Sequence, residues 1–233
     1  MKQMNVFFVM LLCCAGAFLS CSQDGDMVYS CNKEVDALVR SNLDEIRLMT
    51  RAEWKELDPD VSLAVYRAFT PDQKFDFWKG KFAEVKTLNW NEEELQHIQK
   101  AEDFLDAHRH LFDDEQSSVE DLDELDSFFY KWTKTAKEKF GWKEQVAFAI
   151  AGMGQAIIDT KGTIQGFNTS VNHKTKLSLG SESGTGTSDC NCKKDAIPNS
   201  CMPSSRCGDY RCNETGSGCG WLLKKPCDGR CVV

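Results

Sequence analysis

The chain has 233 residues, 28 basic against 36 acidic side chains, a net charge of −8 and twelve cysteines. That acidic balance argues against nucleic acid as a partner. Eight of the cysteines fall within residues 190–231. They argue for a terminal region held by bridges or by metal, because so short a segment cannot bury enough apolar surface to fold on a core alone.

Residues 1–20 read as an export signal. Lys2 supplies the positive start, Val6 to Leu12 is an apolar run, and small residues follow at Ala15, Gly16 and Ala17. The run is too short for a spanning helix, and no other apolar stretch approaches the needed length. Phe18-Leu19-Ser20-Cys21 resembles the bacterial lipoprotein box, which implies lipidation of Cys21. The following Ser22-Gln23-Asp24-Gly25-Asp26 is similar to the acidic export signal of surface lipoproteins in Bacteroides-like bacteria. The implied location is the outer membrane and cell surface, with 21–31 as an acidic tether and a lipid anchor as the membrane partner. The competing reading is ordinary secretion.

Residues 32–153 read as one helical domain of about six helices, in an all-α fold. Thr50/Glu53, Thr70/Gln73, Asn91/Glu94 and Ser117/Glu120 each place a capping side chain three residues before an acid or amide. Pro59 and Pro71 suit first helical positions. Apolar residues recur at helical spacing in four stripes: Val35, Leu38, Val39, Leu43, Ile46; Phe75, Trp78, Phe82, Val85; Leu95, Ile98, Leu105, Phe112; and Leu122, Leu125, Phe129, Trp132. A last helix is expected from Trp142 to about Met153. Core packing is the reading for these stripes.

No catalytic constellation emerges, so the expectation is a protein that is not an enzyme and needs no cofactor. His97, His108 and His110 fall on one predicted helix near Asp103 and Asp106 and read as solvated face residues. A Gly-x-Ser-x-Gly elbow, a phosphate loop and a dinucleotide fingerprint are all missing from the sequence.

Residues 154–189 change character. Ser178 to Asp189 is rich in Gly, Ser and Thr and reads as a flexible, protease-accessible tether. A weak strand signal covers Thr163 to Val171. The linker either lets the tail reach outward or serves as a cut site. Charge divides at this boundary: the tail carries +3 and the leader +1, which leaves the body at −12 of the total −8.

The tail, 190–233, has the spacing C-x-C-x8-C-x5-C-x4-C-x6-C-x7-C-x3-C. It lacks both C-x2-C knuckles and histidine, so bridges are favoured over zinc or a redox dithiol. The disulfide set is Cys190, Cys192, Cys201, Cys207, Cys212, Cys219, Cys227 and Cys231, in any of on the order of a hundred connectivities. Cys31 is left over: free, bridging two chains, or paired with the tail and shifting its pattern. Trp221, Leu222 and Leu223, followed by Lys224 and Lys225, form either a membrane or target contact edged by charge or a small core under the bridges.

Asp189-Cys190-Asn191-Cys192, the turn Thr215-Gly216-Ser217-Gly218-Cys219-Gly220, the adjacent Trp221 and the eight-cysteine count resemble fulvocin C, a small myxobacterial bacteriocin. Phe69 to Phe82, followed by Leu88 to Phe104, is similar to the helical region of exported Bacteroides-group proteins called fulvocin C-related. The resemblance covers most of residues 60–231. It implies a bacteriocin-like, antibacterial tail acting on a target-cell surface or protein. The alternative is a non-lethal surface binding module displayed on a helical stalk.

Overall fold

The computed structural model describes residues 27–165, 190–194, 200–201, 206–208 and 214–232. Among these residues eight α-helices form the body: α1 Lys33–Ser41, α2 Leu43–Ile46, α3 Arg51–Trp54, α4 Pro59–Arg67, α5 Pro71–Lys86, α6 Glu92–Ala107, α7 Val119–Phe140 and α8 Glu144–Ala151. The count exceeds the six expected because α2 and α3 have four residues each, too few to carry an apolar stripe. Asn42 ends the stretch expected to run from Val35 to Ile46 as one face, its side-chain amide donating to the Leu38 carbonyl at 2.7 Å.

The caps explain the boundaries. Thr50, Thr70 and Asn91 each close a capping box with Glu53, Gln73 and Glu94. The box expected at Ser117/Glu120 lies one residue later, at Ser118/Asp121. There the Asp121 carboxylate accepts from the Ser118 amide at 2.8 Å. An acid one methylene shorter than Glu does the same work. The helix α7 stops at Gly141, which takes a left-handed φ of +70°.

Helix α5 packs against α3, α6 and α8, while α7 packs against α6 and α8, and α4 against α1. The core is aromatic: Trp54, Tyr66, Phe69, Phe77, Trp78, Phe82, Phe129 and Trp132 are buried together. The buried indole donors of Trp54 and Trp90 find carbonyl partners. Trp54 Nε1 donates to the Ser62 carbonyl at 2.7 Å and Trp90 Nε1 to the Val85 carbonyl at 2.8 Å.

His97 belongs to this core and not to a solvated face. Its ring stacks on Trp132 at 4.9 Å, its Nε2 lies 3.0 Å from the Trp132 carbonyl, and Trp132 Nε1 donates to the His97 carbonyl at 2.8 Å. Burial, the dominant effect, holds its pKa below the ordinary imidazole value. His108 caps the end of α6, and His110 sits in the 3-10 turn Arg109–Phe112.

The first part of the expected linker is packed structure. Ile157 and Ile164 are buried and pair in an antiparallel bridge, and the Gly154 carbonyl accepts from Arg51 at 2.8 Å. The buried Lys81 ammonium donates to the Gln155 carbonyl. The Gly/Ser/Thr-rich tether at 178–189 lies outside the described residues.

Candidate functional site: the bridged tail and its helical seat

Among its described residues the tail has one 3-10 turn, Trp221–Leu223, and four short strands: β1 Arg206–Gly208, β2 Gly218–Cys219, β3 Lys225–Pro226 and β4 Arg230–Val232. Strand β1 pairs antiparallel with β4, with Cys207 opposite Cys231, and β2 pairs with β3. Four bridges are described: Cys31–Cys190, Cys192–Cys207, Cys201–Cys231 and Cys219–Cys227. Bridges of this number mark a protein of an oxidising, extracytoplasmic compartment.

Cys31 therefore corrects the expectation of a tail closed on itself. It pairs with Cys190 across 159 residues and ties the start of the body to the start of the tail. Cys21 and Cys212 lie outside the described residues. The sulfurs of Cys192, Cys201 and Cys231 lie within 4.8 Å of one another, as metal ligands would, but each is committed to an S–S bond. Gly229 makes this crowding possible: a Cβ there would stand 2.5 Å from Cys207 Sγ and 2.8 Å from the Gly208 carbonyl.

The expected contact patch is not on the surface. Trp221, Leu222 and Leu223 are buried and belong to the same apolar core as the helices. Trp221 stacks on Phe129 of α7 at 4.9 Å with 17° between planes, and stands edge-on to Phe148 of α8 at 6.3 Å. The Leu222 carbonyl accepts from the Tyr66 hydroxyl at 3.1 Å, which in turn accepts from Trp78 Nε1 at 3.0 Å. Burial pushes the Tyr66 hydroxyl pKa up, so it remains a donor. The physical reason is simple: a tail this short covers three large apolar side chains best by borrowing the body's core.

The two lysines follow their neighbours inward. Lys224 is buried and pairs with Asp114 at 2.7 Å. Lys225 is half-buried and pairs with Asp126 of α7. Nearby Lys74, also buried, is held at a pKa of about 8, chiefly by burial, with Asp114 opposing the shift and Lys224 adding to it.

Arg67, the last residue of α4, is the hub of the seat. Its Nε donates to the Ser217 carbonyl at 2.8 Å, Nη1 to the Tyr29 carbonyl at 2.7 Å and Nη2 to the Cys190 carbonyl at 2.7 Å. Nη2 also lies 3.4 Å from Cys227 Sγ. One rigid guanidinium fork thus joins the N-terminal segment, the bridge at Cys190 and the turn before β2. Gly218 fits beside it because it lacks a Cβ, which would stand 2.8 Å from Arg67 Nε, and because its φ is +116°.

Leu222 and Leu223 adopt φ of +51° and +54°. Consecutive left-handed residues with large side chains cost about 1–2 kcal/mol each, held in place by the surrounding packing. Both lie in the loop closed by Cys219–Cys227.

Sequence reasoning missed Arg67, Tyr66, Asp114 and Asp126. A signal for Arg67 was present. From Val61 to Phe69 the chain is apolar all round except for Ser62 and Arg67. A helix with no polar face is buried, and its lone cation must find partners inside. The choice of Asp114 and Asp126 among many neighbouring acids depends on three-dimensional register and had no local signal. No protein-family model, curated protein or solved structure matches the chain.

Proposed function

We propose that this chain is an exported surface lipoprotein, anchored through Cys21, whose cysteine-rich tail and helical body form one fixed binding module for a protein or glycan partner outside the cell. The supporting observation is the burial of Trp221, Leu222 and Leu223 in the helical core, with Cys31–Cys190 closing the same seam. A binding face gains from such rigidity, because groups ordered in advance lose little entropy on contact. Killing by a freed tail, as the resemblance to fulvocin C implies, asks more of this arrangement. The linker would have to be cut, Cys31–Cys190 opened, and three apolar side chains moved from the core into water.

Intact-mass analysis of native protein from cells and from medium, before and after reduction, tests the reading. A single cell-bound species carrying lipid on Cys21, with 190–233 attached, is the expected result. A free, oxidised 190–233 fragment in the medium that inhibits neighbouring bacteria would overturn it in favour of the antibacterial tail.

A further inference from the structure

Two of the four described bridges are not separate staples. Cys190, Cys219 and Cys227 are fully buried in a single cluster, with the half-buried Cys31 and Leu63 packed against it. Cys31–Cys190 and Cys219–Cys227 are thus neighbours, and only Cys31 among their four sulfur-bearing residues is not fully buried. Arg67 Nη2 sits 3.4 Å from Cys227 Sγ. A guanidinium at that distance stabilises a thiolate and so makes Cys227 the better leaving group when its bridge is attacked. The loop that this bridge closes holds the two left-handed leucines, so opening it relaxes their backbone.

We infer that the two neighbouring bridges form a thiol–disulfide relay that unlocks the Trp221–Leu223 plug from the helical body in the presence of a dithiol reductant. A thiolate of the reductant attacks Cys31 Sγ, the Cys31–Cys190 bond breaks, and Cys190 leaves as a thiolate. Cys190 then attacks Cys219 Sγ, a Cys190–Cys219 bond forms, and Cys227 leaves as a thiolate beside Arg67. The second thiol of the reductant releases Cys31 and closes the reductant's own disulfide. One dithiol loses two electrons and two protons, which Cys31 and Cys227 take up, and two protein bridges become one. The inference does not depend on the proposed binding role.

The test uses the full oxidised chain and limiting dithiothreitol, with rapid alkylation and peptide mapping. The expected first product carries alkylated Cys31 and Cys227 and a new Cys190–Cys219 linkage, and tryptophan emission shifts while helical circular dichroism is retained. A first product with alkylated Cys31 and Cys190 and an intact Cys219–Cys227 bridge would overturn the relay. So would initial opening of Cys192–Cys207 or Cys201–Cys231. In Arg67→Met the exchanged product should fall at least about tenfold relative to simple opening of Cys31–Cys190; an unchanged ratio removes Arg67 from the relay. Should that variant fail to fold, the wild-type map decides the relay on its own.

Discussion

Replacing Trp221 by alanine removes the largest side chain that the tail contributes to the helical core. The residue is 5% exposed, stacked on Phe129 and edge-on to Phe148. A buried tryptophan withdraws on the order of 200 Å² from water. At about 25 cal/mol per Å² this is about 5 kcal/mol, an upper bound because the unfolded chain already hides part of that area. Truncations of this kind cost about 3–5 kcal/mol when the cavity cannot collapse. Collapse is hindered here, since the two flanking residues, Gly220 and Leu222, both hold positive φ. We therefore expect a loss of about 4 kcal/mol. For a domain of this size that lowers the melting temperature by about 8–16 °C. The assay is thermal unfolding of the oxidised protein followed by the helical circular-dichroism signal, because the helices lie outside the tail. A shift below about 2 °C would refute the reasoning: the body would then be stable without the tail, and the shared core would contribute nothing.

Other substitutions probe separate parts of the seat. Arg67→Lys keeps the charge but cannot reach three carbonyls at once; each buried acceptor left unpaired costs about 1–3 kcal/mol, so urea unfolding should show a loss of at least about 2 kcal/mol. Gly218→Ala should destabilise, because its Cβ meets Arg67 at 2.8 Å and its φ is +116°, whereas Gly216→Ala, with nothing within 4 Å, should leave the melting temperature within about 2 °C. His97 gives a pH signature. Its folded pKa lies below the unfolded value of about 6.5, so the unfolded chain binds the extra proton first, and stability falls as pH drops below that value. His97→Gln, which can still donate to the Trp132 carbonyl, should flatten the melting temperature between about pH 7 and pH 5.5; an unchanged slope would place the acid sensitivity elsewhere.

The body was legible where local chemistry decides. The boxes at Thr50, Thr70 and Asn91 set the starts of α3, α5 and α6 because side chain and backbone partner lie three residues apart. The stripes containing Trp78, Phe82, Leu105, Phe129 and Trp132 went inside as their spacing requires. His97 was misread because it joins its α6 stripe one residue before Ile98, and only the facing α7 supplies Trp132. The tail was legible in composition but not in placement. Cysteine spacing says that bridges form, and cannot say that Cys31 takes Cys190 from 159 residues away. Trp221 to Lys225 reads equally as an exposed amphipathic patch or as a buried plug. The choice falls to Phe129, Tyr66, Asp114 and Asp126, none adjacent to it in sequence.

Peptide mapping of the native protein without reduction, free thiols having first been alkylated, tests most directly whether tail and body are one unit. The expected result is a Cys31 peptide joined to the peptide bearing Cys190, absent after reduction, together with the pairs Cys192–Cys207, Cys201–Cys231 and Cys219–Cys227. Cys31 found alkylated as a free thiol, with Cys190 bridged inside the tail, would contradict the account and return the tail to a self-contained module.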